Sequence, residues 1–369
     1  MLRKHKRARS ARQEQPPETC RYTAVEHSTK GATMTLTRVA QLAQVSTSTA
    51  SRYLRGQLKV QSETAARIDA AVRELHYEVR PSASPDTARD HGPVIALIVP
   101  ELVNPFFAAL AEEIATAAAV SDASLVIGVT GRQAQREAKV SDFVAGAEDI
   151  DGMIYVGMHR ENPRLLQAIA DGLPVVVLDE EIADTAGVDT IGVDNYGGAY
   201  QATAYLAQLG HRRIAHIAGP RELSTTRDRL RGYRDAMLHA DLEVDEDLIL
   251  HGPYTEQFGA STFPYLTGAA QPPTAVFVGS DIAAVGILGA AELHGLRIPE
   301  DLSVIGCDGI RVGEWLRPKL TTLQQPVADL ARGALELVHA RIAEPETDTV
   351  RRTLPLQLVI RGSATPPQH

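Results

Sequence analysis

The stretch TLTRVAQLAQVSTSTASRYLRG, Thr35–Gly56, decides how the rest of the chain reads. Val39, Leu42 and Ala43 repeat at i, i+3 and i+4, giving one apolar helix face, and Thr35 stands as a cap before Leu36. Only Gln44-Val45-Ser46 separates this helix from a second, running from Thr47 to about Leu54 with Ser46 at its cap position. A third helix is expected with Ser62 as its cap, placing Ala65, Ile68, Val72 and Leu75 on one face. Three short helices joined by so tight a turn predict a helix-turn-helix unit over residues 34–80.

Such a unit lays its second helix in the major groove of DNA. Thr47, Ser48, Ser51 and Arg52 fall on that helix, where a guanidinium can pair bidentately with guanine and small hydroxyls can reach base edges or phosphates. A plain three-helix bundle has the same spacing, so geometry alone leaves both readings open.

Working outward, the charge is uneven. The 369 residues carry a formal net charge of −9, which by itself argues against nucleic acid. Yet residues 1–93 hold sixteen basic and nine acidic side chains, and the remainder 21 and 37. Arg3, Lys4, Lys6, Arg7, Arg9 and Arg12 crowd the start of residues 1–33, which read as a disordered basic tail, with a phosphate-contacting arm as the alternative. Met34 is an alternative start. Residues 34–93 carry eight bases and six acids, so the case for DNA rests on where Arg38, Arg52 and Arg55 point.

Cys20 and Cys307 make no disulfide framework and sit in no CxxC or Cys/His cluster, so no metal and a reducing compartment are expected. Residues 1–33 lack the apolar core of a secretory signal. The apolar run Ala275–Ala291 is broken by Ser280, Asp281 and three glycines, which argues against a membrane span. A cytoplasmic protein without a membrane partner is the expectation.

RPSASPDTARDHGP, Arg80–Pro93, is rich in Pro, Ser and Asp, and residues 81–93 read as a flexible linker, with a short helix capped by Ser84 as the alternative. From Val94 strands alternate with helices. Strands are expected at Val94–Val99, Leu125–Val129, Met153–Val156 and Val175–Leu178, with helices at Pro105–Val120, Ala134–Glu148 and Pro163–Ala170. Asn104-Pro105 and Asn162-Pro163 each read as a cap followed by a first-turn proline. A second series begins near Ile191, with strands Arg213–Ile217, Leu248–Leu250, Ala275–Val278 and Ser303–Cys307. Its helices are Gly197–Leu209, Thr226–His239, Gln257–Leu266 and Asp281–His294, the last with Asp281 as its cap. Two parallel α/β lobes facing each other across a cleft make a ligand-binding clamshell. Neither GxGxxG after a first strand nor GxxxxGK[ST] occurs, so nucleotide-cofactor and NTPase readings lose their support and no cofactor is expected.

Thr35–Gly56 resembles the headpiece of the lactose-repressor/galactose-repressor family of bacterial regulators. The matching residues are Thr35, Val39, Ala40, Ala43, Val45, Ser46, Thr49, Ser51, Arg52, Leu54 and Gly56. VIALIVPELVNPFF, PVVVLD, VDNYGGAYQAT, LGHRRIAHIAGP, STTRDRLRGY, GSDIAAVG, DLSVIGCD and LTTLQQP extend the resemblance to about Ile360 in the expected order. The implied fold is α/β: a three-helix helix-turn-helix headpiece plus a two-lobed parallel α/β, periplasmic-binding-protein-like ligand domain. Lobe 1 would comprise residues 94–191 and 325–352, lobe 2 residues 192–324 and 353–362, and residues 363–369 a tail.

The resemblance makes Thr47, Ser48 and Arg52 the main base readers, supported by Thr35, Arg38, Ser46, Ser51 and Arg55. It also nominates a pocket of Asn104, Phe106, Phe107, Asp179, Thr225, Arg229, Tyr254, Ser280, Asp308 and Gln325. Of the two phenylalanines, one is expected in the core. Met158, His159 and Arg160 are candidates for tuning specificity. Departures are Arg38 for the usual acid, Gln44 for the turn glycine, Ala50 for a valine, Arg55 for the asparagine before Gly56, Glu180 for a frequent arginine, and a linker without leucine. The implied protein is a homodimeric repressor of carbohydrate-related genes, binding double-stranded operator DNA and released by a sugar-like effector. The alternatives are a corepressor-dependent regulator sensing a nucleoside or purine, a sugar receptor, and an enzyme on a doubly wound fold.

Overall fold

The computed structural model describes residues 36–54, 58–75, 92–147, 149–185 and 187–368. The headpiece holds α1 (Leu36–Ala43), α2 (Thr47–Leu54) and α3 (Ser62–Glu74). Its core joins Val39 and Ala43 of α1 to Ile68 and Ala71 of α3, while Ala40 meets Ala50 of α2. Leu42 does not share that face: it is 45% exposed, and Ala40 takes the inward position. Ser46 Oγ accepts the Thr49 amide at 3.0 Å, the expected cap of α2. Ser62 is the first residue of α3 rather than its cap, a position taken by Gln61. Gln44 adopts φ 54°, the left-handed conformation that a glycine would enter freely. The proposed cap Thr35, the basic tail and most of the linker lie outside the described residues.

The body continues with β1 (Val94–Val99), α4 (Pro105–Val120), β2 (Ser124–Val129), α5 (Ala134–Gly146), β3 (Gly152–Tyr155), α6 (Pro163–Ala170), β4 (Val175–Leu178) and β5 (Asp189–Val193). After the crossover come α7 (Asn195–Gln208), β6 (Ile214–Ala218), α8 (Ser224–His239), β7 (Ile249–His251), α9 (Glu256–Thr267), β8 (Ala275–Val278), α10 (Asp281–Leu293), β9 (Ser303–Asp308) and β10 (Thr321–Gln324). The chain then returns through α11 (Val327–Ala343) and β11 (Arg351–Leu354) before β12 (Gln357–Val359).

Two six-stranded sheets result, in the orders β11-β5-β4-β3-β1-β2 and β12-β10-β9-β8-β6-β7. Every pairing is parallel except β10 with β12. The interior strands β1, β3, β4 and β8 are almost wholly apolar because helices cover both faces. In the first lobe, Ile95 and Leu97 of β1 pack with Leu110 and Ile114 of α4 and Leu330 and Val338 of α11, while Tyr155 and Leu165 fill the opposite side. In the second, Phe263 and Ile287 cover one face, and Leu206 and Tyr233 the other.

The lobe limits differ by two residues from the sequence expectation. β5 reaches Val193 and β11 reaches Leu354, both in the first sheet, so residues 192–193 and 353–354 pair there. Hydrogen bonding sets these limits, and the strands end just before Asp194-Asn195 and Pro355 rather than at Ile191 and Arg352. Asn104 and Asn162 cap α4 and α6, accepting the Phe106 and Leu165 amides at 3.1 Å each. Asp281, in contrast, is not a cap. It is the first residue of α10, and its carboxylate accepts Thr322 Oγ1 at 2.6 Å and the Ile310 amide at 2.8 Å, tying α10 to β10 and to the loop after β9.

Candidate functional site

Parallel strands deliver their C-terminal ends to one edge of each sheet, and here the two edges face each other. The β1 end leads to Asn104, Phe106 and Phe107, and the β4 end to Asp179. The first two turns of α8 supply Thr225 and Arg229. Tyr254 follows β7, Ser280 follows β8, Asp308 ends β9 and Gln325 follows β10. All ten nominated residues line one cavity between the lobes. Phe106 and Phe107 both belong to the first lobe's core while lining it, their rings edge to face at 5.2 Å, so the expected division between core and site does not hold.

Arg229 is buried and directed from three sides. Its Nε donates to Asn195 Oδ1 at 2.8 Å, and its Nη1 donates to the Gly279 carbonyl at 2.6 Å and to Tyr254 Oη at 3.5 Å. Tyr254 Oη also shares a hydrogen bond with Thr226 Oγ1 at 3.0 Å. Beneath it, a Cβ on Gly219 would lie 2.1 Å from Tyr254 Cζ, so glycine makes room for the ring.

The acids around Arg229 are unusual in backbone and in charge. Asp179 has φ 74° and Asp308 φ 119°, conformations that cost energy in a residue with a Cβ and persist only where the surroundings enforce them. Burial, then Glu180 and Asp308, push the Asp179 carboxyl up to about 7 against the pull of Arg229. Burial likewise raises Asp308, opposed by Arg229 and by Gln325, whose Nε2 donates to Asp308 Oδ1 at 3.0 Å. Asp179 Oδ1 and Gln325 Oε1 are buried with no hydrogen-bond partner among the described residues.

Sequence reasoning missed several lining residues. Glu101 and Arg132 stand at the rim as a pair 3.4 Å apart, and Leu223 adds an apolar wall. Glu180, noted only as a departure, receives Ser224 N at 2.9 Å, Ser224 Oγ at 2.6 Å, Thr225 N at 3.3 Å and Thr225 Oγ1. Asn195 carried no signal beyond its place after a strand. Of the three specificity candidates only Met158 lines the cavity. His159 Nδ1 is instead 2.6 Å from Glu137 Oε2, and the Arg160 carbonyl accepts the Ala183 amide.

In the headpiece, Arg38 is exposed on α1 and Ser46 caps α2. Thr47, Ser48, Ser51 and Arg52 lie on α2, while Thr35 and Arg55 fall outside the described residues. Among the described residues no group of three or more His, Cys, Asp or Glu is arranged to hold a metal ion, and no helix is long and apolar enough to cross a membrane.

Comparison with known proteins decides what joins these parts. Residues 35–79 match the bacterial regulatory proteins of the lacI family, and residues 203–364 match a periplasmic binding protein-like domain. The HTH-type transcriptional repressor CytR of Escherichia coli (strain K12) is 35% identical over 329 residues, covering 89% of this chain and 96% of the relative. The chain belongs to the lacI family. This lacI-family protein is a DNA-binding transcriptional regulator with a ligand-binding domain. The HTH-type transcriptional regulator CelR of Thermobifida fusca is 32% identical over 335 residues, 89% of this chain and 98% of the relative. A solved CelR–cellobiose complex superposes with a TM-score of 0.69 at 31% identity, covering 89% of this chain and 99% of that one. A LacI family regulator from Enterococcus faecium with bound ribose gives 0.67 at 27% identity, covering 74% and 100%.

Proposed function

We propose that the chain is a homodimeric repressor that leaves its operator when a sugar-like effector binds between the lobes. The cavity carries this reading: ten nominated side chains line it, and the buried acceptors Asp179 Oδ1 and Gln325 Oε1 need donors that a polyhydroxylated ligand brings. Similarity to the cellobiose complex and to the ribose-bound regulator supports the same class. Phe106 and Phe107 favour a second reading, a nucleoside whose base meets a ring while its ribose meets the acids, acting as corepressor.

The control is mechanical. The cavity measures about 30 Å³, far below the ~300–1,000 Å³ of ligand pockets, so admission requires the lobes to part and re-close. Parting breaks the bonds from Glu180 of the first lobe to α8 of the second. A ligand that binds the two lobe arrangements unequally shifts their populations, and through the linker the placement of the headpieces. In this reading residues 34–80 read DNA, with Thr47, Ser48, Ser51 and Arg52 at base edges, and 81–93 connect them to the lobes. A dimer sets two α2 helices on half-sites about one helical turn apart. The edge strand β2, with Val126 and Ile127 exposed, offers apolar surface to a second copy. Such a protein works in the cytoplasm, by binding rather than catalysis. Retardation of the DNA flanking its own gene, with and without a panel of sugars and nucleosides, tests the reading; binding no better than to bulk DNA contradicts it.

A further inference from the structure

We propose that Glu180 sets the chemical class of the effector, closing the site to phosphorylated and carboxylated ligands and admitting only donor-rich ligands, uncharged or amine-bearing. The proposal rests on the cavity being the effector site and concerns what that site accepts.

The sixteen-residue helix α8 begins at the cavity with no side-chain cap of its own, since Leu223 holds the cap position. A helix N-terminus concentrates unpaired amides and partial positive charge, which bind an anion readily. Here an anion is built in. Glu180, itself buried, takes the Ser224 and Thr225 amides and both hydroxyls, as charge-assisted bonds from the opposite lobe. A phosphate or carboxylate admitted while the lobes are apart must therefore keep these donors from Glu180 as the lobes re-close.

The remaining cations offer no substitute. Arg132 is paired with Glu101, and Arg229 commits its Nε and Nη1 to Asn195, Gly279 and Tyr254, while the charge that its remaining Nη2 would offer is already shared with Asp308 and Asp179. The lining holds four carboxylates, Glu101, Asp179, Glu180 and Asp308, against those two guanidinium groups. Of its unpartnered buried atoms, Asp179 Oδ1 and Gln325 Oε1 accept, and the third, the Ser280 hydroxyl, lies beside Asp308, which draws its proton; Gln325 is only 2% exposed. A negative ligand group would set acceptor against acceptor in a closed site, where each unmade bond costs its full desolvation. Hydroxyl and amino groups meet the same atoms as donors.

The test uses the full chain and the variants Glu180→Ala and Glu180→Gln. Melting is followed against inorganic phosphate, with sodium chloride at matched ionic strength as control. Phosphate is expected to leave the wild type at its chloride value and to raise Glu180→Ala saturably by several degrees, since a ligand that binds the folded state stabilises it by mass action. Glu180→Gln, which keeps the volume of the side chain, should fall between. Equal phosphate response in wild type and Glu180→Ala, or none in Glu180→Ala, overturns the proposal. Should Glu180→Ala fail to fold, the wild type decides alone. It is melted with matched sets (glucose, glucosamine and glucose 6-phosphate; cytidine and its monophosphate; galactose and galacturonate). Stabilisation confined to members without an acidic group supports the proposal; stabilisation by any acidic member, or by none of the others, overturns it. Operator retardation in parallel separates the two claims: loss of operator binding in the wild type defeats the regulator reading and leaves the melting result standing.

Discussion

Arg229 Nε donates to Asn195 Oδ1 at 2.8 Å, and Asn195 Nδ2 in turn donates to the Val193 carbonyl at 3.3 Å. Val193 ends β5 in the first sheet, and Asn195 opens α7 on the way into the second lobe. The buried cation facing Asp179 and Asp308 is thus aimed by the crossover itself, so lobe position and guanidinium position are linked. Asn195→Ala removes a hydrogen bond to a charged group, worth about 1.5–3 kcal/mol. Effector affinity is expected to fall about tenfold or more, measured by titration calorimetry, while affinity for effector-free operator changes little.

Effector binding at the proposed site is expected to depend on pH through Asp179. Its folded pKa of about 7 lies above the usual carboxylate value, so between those two values the folded state binds more protons than the unfolded chain. Stability contributed here is present at low pH and is lost as pH rises through about 7. Charge on Asp179, shaped by Glu180, Asp308 and Arg229 around it, is also what a ligand hydroxyl or amine prefers to meet. Melting of wild type against Asp179→Asn from pH 5.5 to 8.5 should show this slope in the wild type and its reduction in the variant. Effector affinity in the wild type should rise over the same interval.

Gln44 carries a local cost that a single change relieves. At φ 54° a side chain with a Cβ is strained by about 1 kcal/mol relative to glycine. Gln44→Gly is expected to stabilise the headpiece by up to about 1 kcal/mol, read as a higher denaturant midpoint for the headpiece transition.

Much of this was legible in the chain, for identifiable reasons. Asn-Pro pairs fix helix starts through a side-chain acceptor and a preset φ, which is why α4 and α6 begin where the sequence said. Apolar runs such as Val94–Val99 mark strands buried on both faces. The ten pocket residues came from the family resemblance, since no periodicity points Thr225 and Gln325 at one another. Glu180 and Asn195 stayed hidden because their roles arise between segments distant in sequence: Glu180 meets Ser224 across the lobes, and Asn195 meets Arg229 on a neighbouring helix. His159 shows the reverse, a plausible pocket residue claimed by the buried Glu137. The cap expected of Asp281 failed likewise, because Thr322 and the Ile310 amide satisfy that carboxylate from other elements.

Gly219 gives a steric test of the cavity wall. Alanine there would drive its Cβ into the Tyr254 ring, displacing the hydroxyl that Thr226 and Arg229 hold. Gly219→Ala should lose effector response while keeping operator binding and a cooperative melt.

The proposed reading gives Arg52 of α2 the part of base reader. If it reads a base, Arg52→Ala weakens specific binding by about 1–3 kcal/mol and relaxes preference at one base pair, leaving non-specific binding nearly unchanged.

The most direct measurement is fluorescence anisotropy of a labelled operator fragment, titrated with wild type and with Arg229→Ala, each with and without the sugar that most raises the wild type's melting temperature. The account requires that the wild type bind the operator and release it as the sugar is added, and that Arg229→Ala bind the operator but no longer respond. Equal sugar response in the two proteins, or operator occupancy indifferent to every stabilising ligand, would contradict it.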